Sequence, residues 1–156
     1  MIPGGRMQVE KRNNINIHGD DVDQPTMILV HGFGCDQSMW RHLVPAFRDK
    51  YRIILFDLVG SGGSDLSAYD KTKYSTLHGY ADDLLEIIDH YSTGPVVFVG
   101  HSVSAMIGLL ASNAAAHKFA AQIMVGPSAC YIDDENYRGG FSRAGWRSAS
   151  SGCAAG

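Results

Sequence analysis

Four short runs, nearly free of polar interruption, constrain this chain more than any other feature. They are Thr26-Met27-Ile28-Leu29-Val30, Tyr51-Arg52-Ile53-Ile54-Leu55-Phe56, Val96-Val97-Phe98-Val99 and Ala121-Gln122-Ile123-Met124-Val125. Each has the length of one strand, and the first two read as strands buried on both faces. Between them the period changes. Over 76–91, Leu77, Ala81, Leu84, Ile88 and Tyr91 recur on one helical face, while Asp82, Asp83, Glu86 and Asp89 lie mostly off it. Gly94-Pro95 punctuates the end of that helix. A shorter helix is expected over 38–47, an edge strand over 9–18, and a further helix after the third run. Strands alternating with helices predict an α/β chain with a mostly parallel sheet flanked by helices. A length of 156 residues suits one domain, and 45% apolar residues suit a globular core.

Thirteen basic against 16 acidic residues leave a formal charge of −3 with no basic block, so neither nucleic acid nor a membrane surface is indicated as a partner. No run approaches the eighteen or so apolar residues that a bilayer requires. The start, Met1-Ile2-Pro3-Gly4-Gly5-Arg6-Met7, lacks the apolar stretch of a secretion signal, which makes the cytoplasm the default address and Met7 the more natural first residue. Cys35, Cys130 and Cys153 are odd in number and scattered, so reduced thiols are expected, with Cys35 packed inside. His18, His42, His78 and His90 lack metal-ligand spacing, and no metal or other cofactor is implied.

The third run leads into Gly100-His101-Ser102-Val103-Ser104 and then into a second apolar stretch long enough for a helix. That is a strand, a sharp turn and a helix, with the Ser102 hydroxyl at the apex beside the first amides of the helix. Such an elbow presents a nucleophile for acyl transfer. The pattern is G-x-S-x-S rather than G-x-S-x-G, and an ordinary strand-to-helix connection would read the same way. The first run ends in His31-Gly32-Phe33-Gly34, where glycines let the backbone turn an N–H inward. Acyl transfer needs two donors facing the oxygen that becomes negative, and the amides of Phe33 and Val103 are the candidates.

Gly60-Ser61-Gly62-Gly63-Ser64-Asp65 also follows a strand and invites a dinucleotide reading. The spacing fails, because Asp65 stands where the last glycine of G-x-G-x-x-G belongs. A tight turn uses the same residues, with Asp57 and Asp65 as turn formers rather than catalytic acids.

On these motifs, together with Cys35 to Trp40, Phe56 to Leu66, Tyr74 to Leu85, Gly126-Pro127-Ser128 and Gly139-Gly140-Phe141, the chain resembles the α/β-hydrolase superfamily. It is most similar to the RsbQ-like group of bacterial stress regulators and plant strigolactone and karrikin receptors. The resemblance implies a serine hydrolase with Ser102 as nucleophile and Phe33 and Val103 as oxyanion donors. It also implies an apolar pocket beside His31, His101 and Tyr131 for a small hydrophobic ester or lactone. Serine at the place of Ser104 is common in that group. An alternative within the same resemblance is a ligand sensor that docks onto a signalling protein.

The resemblance runs from about Lys11 to Phe141, which divides the chain into an extension over 1–10, a partial core over 11–141 and a tail over 142–156. Eleven of the fifteen tail residues are Ser, Ala or Gly, so the tail is expected to be coil. The lid and last strands of the family pattern are missing. In this superfamily the acid and histidine of the triad follow the serine, yet no histidine follows His117, which sits at the far end of the elbow helix. Asp133 and Asp134 belong to the loop that leads toward the lid. The expectation is a nucleophile without a base and little activity, or a non-functional fragment whose last strand exposes an apolar edge.

Overall fold

The computed structural model describes residues 3–19, 21–142 and 144. Five strands form one sheet: β1 (Asn16–His18), β2 (Thr26–Val30), β3 (Arg52–Phe56), β4 (Val96–His101) and β5 (Phe119–Val125). Their spatial order is β1-β3-β2-β4-β5. Only β1 runs antiparallel to its neighbour; the other pairings are parallel.

Strand periodicity divides the apolar runs between two layers. Ile28, Val30, Ile54, Phe56, Val96 and Phe98 face α3 (Leu77–Tyr91) and α4 (Val103–Ala114), where Leu84, Ile87, Ile88 and Ile107 close the larger core. Met27, Leu29, Ile53, Leu55 and Val99 face the other way, onto Trp40 and Val44. With both faces covered, β2 and β3 are buried at every position.

Two sequence expectations are corrected. Residues 9–18 are not one strand: α1 (Pro3–Asn13) occupies the first half of that stretch, and β1 keeps only three residues. Gln8, Glu10, Lys11 and Arg12 favour a helix, and Val9, 1% exposed, packs into the core. The helix ends in a Schellman motif. Asn14 takes φ 46°, its N–H reaches the Lys11 carbonyl, and the Ile15 N–H reaches that of Glu10. The helix expected over 38–47 is broken into a 3-10 turn (Gln37–Trp40) and α2 (Val44–Phe47). Pro45 sits at the start of α2 and has no N–H to continue a helix arriving from Arg41.

Asp83 departs from its expected place on the wet face of α3. It is 1% exposed and accepts from Tyr74 Oη at 2.8 Å and from Lys73 Nζ at 2.5 Å, with an Arg12 guanidinium nitrogen at 3.3 Å. Burial, and then the hydrogen bond to Asp83, push the Tyr74 phenol well above its ordinary range. This charged cluster ties α1 to α3. No described helix is long and apolar enough to cross a membrane. The expected tail lies outside the described residues except for Ser142 and Ala144, as does Cys153. Cys35 and Cys130 are free thiols; Cys35 is half-buried rather than packed inside, and Cys130 is exposed.

Candidate active site

Ser102 joins β4 to α4 at φ 55° and ψ −118°, a backbone region that glycine normally occupies. Packing holds it there. A Cβ on Gly100 would stand 2.6 Å from the Ala105 nitrogen and from the Ser104 carbonyl group, so the strand can turn this tightly only without a side chain at 100. The Ser102 N–H donates to the Val125 carbonyl at 2.8 Å, and the Ser102 carbonyl accepts from Ala105 at 3.0 Å. The elbow is thus fixed to the end of β5 on one side and to its own helix on the other.

The oxyanion candidate loop is a turn over residues 32–35, closed by the Cys35 N–H on the Gly32 carbonyl at 3.2 Å, with Gly34 at φ 72°. Positive φ at the third position is what a type II turn requires. Phe33 holds the second position with its ring 56% exposed. Gly32 permits a close approach: a Cβ there would meet His101 Nδ1 at 2.5 Å and Ser102 Cβ at 3.1 Å. This contact brings the turn, His101 and Ser102 together. Beyond the turn, hydrogen bonds from Ser38, side chain first and backbone next, hold the Asp36 carboxyl below its usual range and start the 3-10 turn.

His31 was expected to line the pocket and does not. It is 0% exposed, Nε2 accepts from the Leu58 N–H at 3.1 Å, and Nδ1 donates to the Gly32 carbonyl at 2.8 Å. That pattern assigns the proton to Nδ1. The Asp57 carboxylate at 3.7 Å is therefore a neighbour rather than an ion-pair partner. His101 is half-buried, and its Nδ1 finds no hydrogen-bond partner among the described residues. Val103 is half-buried against the larger core.

Tyr131 reaches Ser102. Its hydroxyl lies 2.9 Å from Ser102 Oγ. It belongs to a loop over residues 131–141 that closes on itself through Asp133 N–H to Phe141 O, Phe141 N–H to Tyr131 O, and Gly140 N–H to Asp133 Oδ1. Asp133 and Asp134 accept from the backbone of their own loop, which makes them loop-shaping groups.

Asp57 and Ser64 fold the glycine-rich segment after β3. Asp57 is 1% exposed and accepts from the Gly63 and Gln37 amides and from Asn14 Nδ2 at 2.8, 2.9 and 2.8 Å. Ser64 Oγ accepts from Gly60 and Ser61. These residues shape a turn, and Asp65 caps the next 3-10 turn with its carboxyl drawn down to about 2, chiefly by the Ser67 hydroxyl. A cleft of about 270 Å³ between Thr26, Arg52 and the C-terminal end of α3 opens at the opposite edge of the sheet, away from Ser102.

Sequence reading missed Ser104. It is 0% exposed, and its hydroxyl donates to the His31 carbonyl at 2.5 Å. A hydroxyl among Val103, Ala105 and Ile107, on a helix otherwise built for a core, was the available signal.

With this geometry described, the comparisons decide the family. A family model described as the alpha/beta hydrolase fold matches residues 25–149. The chain belongs to the α/β-hydrolase family. A karrikin insensitive 2 receptor of Petunia hybrida is 43% identical over 135 residues, which cover 86% of this chain and 49% of that protein. The strigolactone esterase D14 of Arabidopsis thaliana is 44% identical over 127 residues, covering 81% of this chain and 48% of that protein. Among solved structures, a hydrolase from Oleispira antarctica superposes with a TM-score of 0.83 at 41% identity, covering 92% of this chain and 52% of that one. This α/β hydrolase therefore spans about half the length of the relatives it matches, and its five-stranded sheet is the corresponding part of the fold.

Proposed function

We propose that this α/β hydrolase acylates Ser102 with small apolar esters or lactones. The observation that carries the reading is the Ser102 backbone, held at φ 55° and ψ −118° directly before α4. Evolution keeps such strain chiefly where a side chain must be presented in one direction. Ser102 Oγ attacks the ester carbonyl carbon, the carbonyl oxygen takes the negative charge, and the amides of Val103 and Phe33 receive it. One such donor contributes about 2.7–4 kcal/mol of transition-state stabilisation. The tetrahedral species then collapses, the ester carbon–oxygen bond breaks, the departing oxygen takes up through solvent the proton that Ser102 lost, and water later frees the acyl group.

A base must take the serine proton, and among the described residues the hydroxyl that Ser102 Oγ meets is that of Tyr131 rather than a histidine nitrogen. His31 has both ring nitrogens engaged, the Nδ1 edge of His101 packs on Gly32, and His117 lies past the end of α4, about 18 Å along a twelve-residue helix. Without a base, an oxyanion site and binding alone give about 10³–10⁴ over water. Slow turnover is therefore expected of these residues alone. The assay is hydrolysis of a chromogenic short-chain ester by purified protein beside Ser102→Ala. Slow hydrolysis that disappears in the variant is expected. A rate unaffected by the substitution would remove Ser102 from the chemistry, and Ser102-dependent turnover above about 1 per second, an ordinary enzyme value, would show that a base is present.

A second reading, a ligand sensor that signals to a protein partner, is favoured by one contact: the Tyr131 hydroxyl already engages Ser102 Oγ. Two of the relatives at about 40% identity are named karrikin insensitive 2 receptors. A binder tolerates Ser102→Ala in a ligand-binding assay, whereas an acylating enzyme loses its reaction.

A further inference from the structure

Ser104 joins the two segments that carry the oxyanion amides. It follows Val103 directly, and its bonded partner, the His31 carbonyl, lies two residues before Phe33. The β2–β4 ladder ends at Val30 and Gly100, and beyond that pair the Ser104 hydroxyl is a tie that continues the registration into the elbow, beside the close contact of Gly32 with His101. His31 is a fixed point for it. Leu58 and Gly32 hold the ring on two sides, and the ring, the carbonyl and the turn over residues 32–35 form one connected unit. Both ends of the Ser104 bond are 0% exposed, so water cannot replace it.

We propose that Ser104 is a positioning residue: its hydroxyl sets the separation between the Phe33 and Val103 amides and so the size of the oxyanion site. The proposal rests on the acyl-transfer reading above. Glycine at this place, as in the commoner elbow pattern, cannot make the bond, and alanine leaves the His31 carbonyl buried without its donor. Threonine keeps the hydroxyl.

The test uses the full chain with Ser104→Ala and Ser104→Thr and takes two readouts. Amide NMR reports on Gly32, Phe33 and Val103 without requiring any activity. Phenylboronic acid, which adds to a serine hydroxyl as a tetrahedral adduct, reports on the oxyanion site. Ser104→Ala is expected to move the Gly32 and Phe33 amide signals across the β2–α4 boundary and to weaken boronate binding by about tenfold; Ser104→Thr is expected to restore both. Signal changes confined to α4, with the Phe33 amide unmoved and boronate affinity equal to that of the parent, would overturn the proposal even if the melting temperature fell. Boronate binding that survives Ser102→Ala would instead defeat the acyl-transfer reading, and the Phe33 amide would still decide the role of Ser104.

Discussion

Replacing Ser102 by glycine and, separately, by alanine isolates the backbone strain at the elbow. Both variants lack the hydroxyl, so both lose the bond to Tyr131, and the difference between them reports the conformation of residue 102 alone. At an ordinary ordered position glycine is less stable than alanine by about 0.5–1 kcal/mol, because its unfolded chain has more freedom to lose. At φ 55° and ψ −118° a side chain costs about 1–3 kcal/mol. Subtracting one from the other leaves glycine the more stable by about 1 kcal/mol, a reversal of the usual sign. Urea unfolding measures it. With an m-value of about 2 kcal/mol/M, the midpoint of Ser102→Gly should lie about 0.5 M above that of Ser102→Ala at unchanged m. A midpoint for Ser102→Gly below that of Ser102→Ala by the ordinary amount would mean that residue 102 is unstrained in solution. The argument that the fold sacrifices stability to present this hydroxyl would then fail.

The rest of the molecule gives predictions of other kinds. Gly100→Ala places a methyl group against backbone atoms at 2.6 Å and should destabilise by about 1–3 kcal/mol, read by the same urea titration, with loss of whatever Ser102-dependent hydrolysis the parent shows. Asp83→Ala removes the shared partner of Lys73, Tyr74 and the half-engaged Arg12, and should cost about 3 kcal/mol, with α1 the first element to lose protection in hydrogen exchange. Because the Tyr74 phenol is raised in the folded protein, the unfolded chain releases that proton first as pH climbs. The contribution of Tyr74 to stability is therefore level below about pH 10 and declines above it, and Tyr74→Phe should reduce the alkaline decline seen in thermal melts, leaving the part due to Tyr80. Ile123, Met124 and Val125 are 48, 36 and 43% exposed on the outer strand β5, so Ile123→Lys should reduce concentration-dependent light scattering without lowering the melting temperature.

The sequence makes legible those elements whose partners are implied by their own pattern. A continuous run such as 26–30 or 52–56 announces burial on both faces, and the observed β2 and β3 follow those runs to within a residue. The long helix is equally plain from its apolar stripe. What fails is decided by distant residues. Val9 is one apolar residue among polar ones, and the Arg12–Asp83 and Arg12–Glu86 contacts across 70 or so positions help fix the helix around it. Asp83 reads as solvated until Lys73, Tyr74 and Arg12 surround it. His31 belongs to a glycine-rich loop that suggests a pocket, and its burial depends on Leu58, 27 residues away.

The same division runs through the candidate site. Ser102 is legible because an elbow is a local device, fixed by a strand, a glycine and a helix in immediate succession. Ser104 is not, since in sequence it is one polar residue in the wrong place for the commonest motif, and its partner lies 73 residues upstream. Yet the two belong to one mechanical unit. On the acyl-transfer reading proposed above, a serine strained against its neighbours is useful only if the amides of Phe33 and Val103 are held as firmly, and local sequence cannot hold two loops together. The hydrogen bond from Ser104 to His31, and the absence of a side chain at Gly32, provide that restraint. At position 104 a glycine could not supply that bond, and serine can.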